Sequence, residues 1–486
     1  MIIPASGHRP IGSNTGFIFG SQAVGSILRA IYAAVLAREF GPELFGLFSF
    51  GLGWYAAFLA VANMQLESYM SQQVARSPAM AIQVMSQSMT LRTFSTVLAF
   101  VIAVATAIAS GEDELLTIVL LICAVAMAGR SAAMWCNSAF ISRESARHVF
   151  RVEVTFRVAE VLVGVSVLVA GFGLIAIVVV HALAWWCQSI YSFWLVRGHF
   201  PGIHFRPRLC EQLQLVRAVL PVAIASVGAT WLMQGPLVLY KDRVSVPSDL
   251  GVVALVLQIF ILVAGIPVAL GRAALPALSR TVARTDNKEA LFLSVVLRTA
   301  IAGTTGLIIA AYAAGAWIIP LIFGEAYRPA GAYLAWGMML VLPFGVASIA
   351  SQILVAHDRM LHVMSSAVIG AGAMTALVQM LVPAGGSIAV YFLCVIAGML
   401  VWATTALVLL SRCVKIKWRQ WLAKPMLASV LSLVTFHLLA GAIGPVTGLF
   451  GALAVLVAGQ WVFSIVDRQE RDSLSRCVRA RFGDGP

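Results

Sequence analysis

Arginine residues stand inside long apolar stretches of this chain, where few side chains could otherwise do chemistry. Arg29 lies in the middle of the first apolar block (residues 14–37), and Arg130 lies midway along the fourth block (115–139). An arginine at the centre of a membrane span costs roughly 2.5–3.5 kcal/mol. A guanidinium group stays charged and binds phosphate oxygens through two parallel hydrogen bonds. These positions therefore favour an anion-binding cavity, with buried ion pairs as the alternative.

Two more arginines, Arg272 and Arg298, lie toward the inner parts of the eighth and ninth apolar blocks. A cavity for an anion between two halves of a membrane protein would take arginine residues from both halves. All four arginines are therefore candidate ligands of an anionic group. Each of them could instead pair with a carboxylate or a helix-end carbonyl and serve only packing.

Another ionisable group lies in the fifth block, where Glu153, Arg157 and Glu160 are spaced by four and three residues. This spacing places them on one helix face, where they can neutralise one another. A structural ladder and an ion-coupling site, in which an ion or proton competes with Arg157 for a carboxylate, are both open. His181 is interpreted as a hydrogen-bonded packing residue, and the pair Trp185–Trp186 as interface or packing residues.

The elements that must position these residues are apolar helices. Of 486 residues, 60% are hydrophobic and 11% are charged, against about 25% charged in soluble domains. A span needs roughly 20 mainly apolar residues. The sequence therefore predicts an all-α integral membrane protein with about 14 transmembrane helices. The blocks lie near 14–37, 44–64, 92–110, 115–139, 153–171, 174–196, 217–239, 250–271, 291–320, 330–356, 362–382, 387–411, 424–442 and 447–466.

Charge sets the expected orientation of these helices. Most of the 33 lysines and arginines fall on one side of the predicted spans, and loops rich in these residues stay in the cytoplasm. Both termini are therefore expected in the cytoplasm, which requires an even number of spans. The net charge of +13 fits contact with anionic membrane lipids. No nucleic-acid partner is expected, since the sequence offers no folded basic domain.

The sequence predicts neither an enzyme nor a metal or cofactor site. The seven cysteines form no CxxC pair, so disulfides and a zinc site are not expected. No nucleophile–base–acid constellation and no phosphate-binding glycine loop is present in the sequence. The outer loops are short, and a chain that is nearly all helix bundle is typical of a transporter built from two related halves.

A weak internal repeat supports two halves, because SQQVAR (71–76) returns as LSRTVAR (278–284). Each segment follows a pair of spans joined by a short outer turn. The predicted organisation is an N-lobe of six helices (1–197), a cytoplasmic link (198–216), a C-lobe of helices 7–12 (217–411), helices 13–14 (412–466) and a basic cytoplasmic tail (467–486).

Four segments in this order resemble those of the lipid-linked oligosaccharide flippases, the O-antigen and exopolysaccharide translocases. They are FGPELFGLFSF (40–50), PALSRTVAR (276–284), IIPLIFGEAYRPAGAYL (318–334) and SQILVAHDRM (351–360). These proteins belong to the multidrug/oligosaccharidyl-lipid/polysaccharide exporter (MOP) superfamily. The resemblance implies two six-helix lobes around a central cavity that opens alternately to either side. It also implies an undecaprenyl-pyrophosphate-linked oligosaccharide as cargo, carried across the bacterial inner membrane, with polysaccharide polymerase machinery as a further partner. With such a cargo, Arg29, Arg130, Arg272 and Arg298 would be the candidate ligands of the pyrophosphate headgroup.

Three other functions stay open at this point. A lipid-linked peptidoglycan precursor could be the cargo of the same machine. A drug/cation antiporter of the superfamily would be expected to carry a carboxylate in its first helix, where this chain has Arg29. A polysaccharide polymerase or ligase would be expected to carry a substantial outer loop with catalytic arginine or histidine, which this chain lacks.

Overall fold

The computed structural model describes the backbone of residues 11–284, 288–414 and 416–462. Within these ranges the side chains of residues 11–15, 18–19, 269–292, 419–420 and 460–462 are not described. Every predicted apolar block is mainly helical over its described part, although a turn at Leu340 divides the tenth block (330–356) into two helices, and the described residues contain no strand. The all-helical prediction is therefore confirmed.

The α-helices of the described residues are α1 (Ile11–Asn63), α2 (Leu66–Arg76), α3 (Ala81–Ala109), α4 (Glu114–Ser142), α5 (Ala146–Val169), α6 (Leu174–His199), α7 (Leu209–Lys241), α8 (Pro247–Arg284), α9 (Lys288–Phe323), α10 (Arg328–Met339), α11 (Val341–Ala356), α12 (Met360–Leu381), α13 (Ile388–Leu410), α14 (Lys424–Ala442) and α15 (Pro445–Val462).

Helix α1 contains the first two predicted spans, divided by a kink. Gly41 has φ 65° and ψ 178°, a conformation that glycine adopts without steric cost. Pro42 follows and opens the second arm, where its missing N–H is not needed. The backbone of α8 packs directly on this kink, because a Cβ atom added at Gly251 would lie 1.9 Å from the Pro42 carbonyl oxygen.

Eleven helices in the described part of the chain are long and apolar enough to cross a membrane. One of them, Gly20–Arg76, contains the kink between two predicted spans. Helix α5 is not among the eleven and carries five charged residues, and α15 is described over only 18 residues. The protein is a multi-pass membrane protein, as predicted, while the number fourteen stays a prediction.

Contacts between helices group the described residues into two compact units. Unit 1 takes its residues from Met1–Gln258 and Val363–Ser387, and unit 2 takes the remainder, Ile259–His362 and Ile388–Pro486. This grouping by proximity differs from the predicted bounds of the lobes, so the lobe organisation stays a prediction.

Within unit 1, helices α1, α4, α5 and α6 contact one another and carry the ionisable residues of interest. Small residues let α4 approach α6 closely: Ala126, Ala133 and Ala182 are buried with Trp185 in one cluster. In a membrane such packing gains dispersion energy rather than hydrophobic energy. The close approach places the ring of Trp185 beside α4.

Unit 2 has its own packing. Helix α9 contacts α10, α14 and α15, and α11 contacts α13. The ring of Phe344 meets the edges of Phe260 and Trp402 at centroid distances of 5.7 and 5.5 Å. The hydroxyl of Thr305 donates a hydrogen bond of 2.8 Å to Ser429 on α14.

Candidate functional site

Charged and aromatic side chains gather inside unit 1, and we call this group the arginine cluster. It draws on both arms of α1 and on α4, α5 and α6, which all contact one another. Its members are Arg29 and Tyr55 (α1), Arg130 (α4), Glu153, Arg157 and Glu160 (α5), and His181 and Trp185 (α6).

Arg130 is held by aromatic groups and not by a carboxylate. Its Nη1 donates a short hydrogen bond to the Tyr55 hydroxyl. Its Cζ lies 5.7 Å from the ring centroid of Tyr55 and 4.9 Å from that of Trp185, which is within the range of cation–π attraction. Its Nε is buried and has no hydrogen-bond partner among the described residues. Arg130 therefore keeps its positive charge and an unused donor.

Arg157 is neutralised within its own helix. It donates a short hydrogen bond to Oε2 of Glu160, three residues along α5, and both side chains are buried. This pair is one of the two that the spacing predicts. The Arg157 Cζ also lies 4.6 Å from the ring centroid of Trp185.

Glu153 is bonded to amides. Its Oε1 accepts hydrogen bonds from Asn137 Nδ2 at 2.7 Å and from Gln188 Nε2 at 3.0 Å. Of the predicted ladder, the structure therefore contains the Arg157–Glu160 pair, while Glu153 is held by α4 and α6. Two amide donors stabilise the carboxylate without neutralising its charge.

His181 is buried and hydrogen-bonded at both ring nitrogens. Trp185 Nε1 can only donate, and it lies 3.2 Å from His181 Nε2, so Nε2 must accept. The proton then sits on Nδ1, which lies 2.7 Å from Oε1 of Glu160 and donates to it. The hydrogen-bond network thus assigns a neutral histidine. His181 is the packing residue that the sequence predicts, but its partners place it inside the cluster.

Arg29 is the accessible cation of the cluster. Its side chain is exposed, and its Nη2 donates a hydrogen bond of 3.1 Å to Ser26 on the same helix. It interacts electrostatically with Arg130 and Arg157, which repel it, and with Glu153, which attracts it. One turn further along α1, the side chain of Tyr32 packs against α5 at Gly164. A Cβ atom added at Gly164 would lie 2.1 Å from the Tyr32 hydroxyl oxygen.

The cluster has more positive charge than it neutralises. Three guanidinium groups face two carboxylates, and within the described ranges neither Arg29 nor Arg130 is in an ion pair. Electrostatic attraction is stronger in a medium of reduced dielectric than in water. Such a group can bind an anion through bidentate hydrogen bonds. In the described part of the chain, no three histidine, cysteine, aspartate or glutamate residues are grouped to hold a metal ion.

The other two predicted arginines lie elsewhere along the chain. Arg298 is buried on α9 and belongs to unit 2. Arg272 lies on α8, but its side chain is outside the described residues. The structure thus brings together Arg29, Arg130 and the α5 group, while the functional roles of all these residues, and of Arg272 and Arg298, stay predictions.

Sequence reasoning missed Tyr55 and Trp185 as members of the cluster and undervalued His181. A usable signal was nevertheless present. His181, Trp185 and Gln188 follow one another at i, i+4 and i+7, which is one face of a helix. The three charged residues of α5 have the same spacing. Polar faces of this kind on two consecutive spans indicate that the spans turn toward each other.

The fold is similar to those of transporters of known structure. The chain matches the lipid II flippase MurJ in an inward closed conformation with a TM-score of 0.67 at 13% identity, over 93% of this chain and 98% of that one. It matches an inward-facing multidrug resistance MATE family transporter of the MOP superfamily with a TM-score of 0.62 at 13% identity, over 82% and 98%. A MOP superfamily transporter from Pyrococcus furiosus matches with a TM-score of 0.53 at 13% identity, over 82% and 94%.

Sequence similarity gives the family directly. No curated protein sequence matches the chain. The model of a family described as polysaccharide biosynthesis protein matches residues 11–282, more than half of the chain and the part that contains the whole arginine cluster. With its MurJ- and MATE-like fold, this membrane protein belongs to the polysaccharide biosynthesis protein family.

Proposed function

We propose that this protein is a flippase that carries undecaprenyl-pyrophosphate-linked oligosaccharide units from the inner to the outer leaflet by alternating access. The units would serve surface or exopolysaccharide synthesis, including O-antigen. Family membership and the transporter fold support the flippase assignment. The bacterial inner membrane, cytoplasmic termini, contact with membrane lipids and cooperation with polysaccharide polymerase machinery belong to the same proposal.

The surplus positive charge of the arginine cluster carries this proposal. Arg29 and Arg130 have hydroxyl groups as hydrogen-bond partners and no carboxylate in an ion pair within the described residues. A charged side chain at membrane depth is expensive and marks a substrate pathway by default. A pyrophosphate headgroup would supply the missing negative charge and match the bidentate geometry of arginine.

The surplus positive charge of the arginine cluster also argues against an organic cation as cargo. A cation would be repelled by three guanidinium groups, and Glu153 and Glu160 are already engaged by hydrogen-bond donors. The α5 group (Glu153, Arg157 and Glu160) is retained as the candidate ion-coupling set. Arg272 and Arg298 are retained as candidate contributors to headgroup binding.

A lipid-linked peptidoglycan precursor is the second candidate cargo. The fold similarity to the lipid II flippase MurJ, over 93% of this chain, favours it. The arginine cluster does not separate the two candidates, because a phosphate-linked lipid would meet the same charges in either case. The attached sugars separate them, and they can be identified chemically.

The decisive experiment measures lipid-linked sugars in cells that lack this protein, with the leaflet of each species determined. We expect complete oligosaccharide units to accumulate on the inner leaflet, and the wild-type protein to clear them. Chemical analysis of the accumulated lipid names the cargo. A peptidoglycan precursor in its place would select the second candidate.

Two other outcomes would contradict a flippase. Single units that accumulate on the outer leaflet would indicate a polymerase, because transport would have succeeded and chain growth would have stopped. Normal lipid-linked sugars together with new drug sensitivity would indicate an antiporter.

A further inference from the structure

Trp185 contacts two guanidinium groups of the arginine cluster at once. The Cζ atoms of Arg130 and Arg157 lie 4.9 and 4.6 Å from its ring centroid. The side chain is buried, with 4% of its surface exposed. Arg130 comes from α4 and Arg157 from α5. One indole ring on α6 therefore joins cations from two other helices.

The indole ring reduces the cost of holding two like charges near each other. The π face of tryptophan is the best cation acceptor among the aromatic side chains, and its effect grows when the pair is removed from water. Only one of the two arginines is paired with a carboxylate. Glu160 pairs with Arg157, whereas Arg130 donates a hydrogen bond to the Tyr55 hydroxyl.

The orientation of the ring is fixed at its edge. Its Nε1–H donates to His181 Nε2 at 3.2 Å, and His181 Nδ1 lies 2.7 Å from Glu160 Oε1. The Nε1–H group lies in the plane of the ring, so this hydrogen bond leaves the π faces available to the cations. A chain of hydrogen bonds thus connects the carboxylate partner of Arg157 to the ring that supports Arg130.

We propose that Trp185 is a positioning residue that holds Arg130 and Arg157 in the geometry that binds the phosphate groups of the cargo. The inference rests on the proposed function, since it presumes that the arginine cluster binds pyrophosphate. It assigns a specific role to a residue whose sequence context indicates only packing or an interface.

The test measures the affinity of the purified full-length protein in detergent for inorganic pyrophosphate, by titration calorimetry. Trp185→Leu removes the π face, and we expect binding to weaken by about tenfold or more. Trp185→Phe keeps a smaller π face but loses the Nε1–H donor to His181, and we expect its affinity to lie between those of Trp185→Leu and the wild type.

Trp186 provides a matched control on the next position of the helix. Its Nε1 donates to the Val125 carbonyl at 3.0 Å, and a Cβ atom added at Gly129 would lie 3.0 Å from its ring. Trp186→Leu therefore disturbs the same α4–α6 packing and leaves Trp185 in place. We expect its affinity for pyrophosphate to match the wild type within about twofold, since the described cation–π contacts of Arg130 and Arg157 are with Tyr55 and Trp185.

Two results would overturn the inference. One is equal loss of affinity and thermal stability in Trp185→Leu and Trp186→Leu, because the role of Trp185 would then be packing alone. The other is a Trp185→Leu variant that binds pyrophosphate as tightly as the wild type, because neither the π face nor the indole N–H would then matter. Thermal unfolding of each variant shows whether a loss of affinity reflects a loss of fold.

Failure of the proposed function gives a different result. If the wild type does not bind pyrophosphate, or if Arg29→Ala binds as well as the wild type, the phosphate assignment is wrong and the Trp185 inference is wrong with it. If the wild type binds with a dependence on Arg29 while Trp185→Leu binds equally well, only the Trp185 inference is wrong.

Discussion

Arg29, Arg130 and Arg157 carry the same charge but differ in how it is compensated. Arg157 has Glu160, Arg130 has aromatic rings and a hydroxyl, and Arg29 has a hydroxyl and an accessible position. The positions of these residues within apolar helices could be predicted from sequence, because arginine is rare inside apolar blocks. The Glu160 partner of Arg157 could also be predicted, from its spacing along α5. The partners of Arg130 could not, since Tyr55 and Trp185 are common residues of apolar helices and only the rotation of each helix shows what they face.

The residue whose removal should affect the proposed transport most directly is Arg29. We expect Arg29→Ala to abolish transport, measured as accumulation of lipid-linked sugar on the inner leaflet, while the protein still reaches the membrane. Arg29→Lys should restore part of the activity, because lysine keeps the charge and loses the planar fork.

Arg38 offers a control on the same arm of α1. It is also exposed, and it lies nine residues beyond Arg29, outside the arginine cluster. Arg38→Ala should transport normally. Normal transport by Arg29→Ala would remove Arg29 from the binding site.

At the scale of elements, the joint between the two arms of α1 shows how much a short motif can predict. A glycine before a proline indicates a break between helices, and the structure has that break at Gly41 and Pro42. The motif does not show that Gly251, more than 200 residues later, supplies the surface against which the joint packs. The contact depends on the arrangement of α8, and a local pattern carries no information about a distant helix.

Gly251 should tolerate no side chain. Gly251→Ala places a methyl group where the Pro42 carbonyl now lies, and overpacking of this kind costs about 1–3 kcal/mol. We expect a lower thermal unfolding temperature in detergent than for the wild type.

Gly265 is the matched control, because it lies on the same helix and an added Cβ atom there meets no atom within 4 Å. Gly265→Ala should leave the unfolding temperature unchanged or raise it, since alanine favours helix. Equal stability of the two variants would show that α8 can move away from the joint at no cost.

For the whole molecule, amino-acid composition predicted the fold class better than any motif did. Low charge and long apolar blocks predicted an all-helical membrane protein, and the helices occur where the blocks are. The exact number of spans is harder to predict, because α5 combines membrane length with five charged residues. The grouping into units depends on contacts such as those of α12 with unit 1, which no sequence period encodes.

The predicted orientation has a simple test. Fusion of green fluorescent protein to the C-terminus should give fluorescence, because both termini are expected in the cytoplasm, where that protein folds. Alkaline phosphatase inserted in the turn at 111–113 should be active, because that turn is expected outside. The reverse pattern would contradict the predicted orientation.

The arginine cluster lies within a single unit, and its cations cannot be switched off. A guanidinium group keeps its proton throughout the physiological range, so the proposed cargo cannot be discharged by titration of its ligands. Because every member of the cluster belongs to unit 1, a rigid displacement of that unit would leave the distances between the arginines, and hence their affinity for the headgroup, unchanged. Release of the proposed cargo at the outer leaflet would then require water and small anions to replace the headgroup at the arginines. The ionic strength outside the cell would therefore influence the turnover of the proposed flippase.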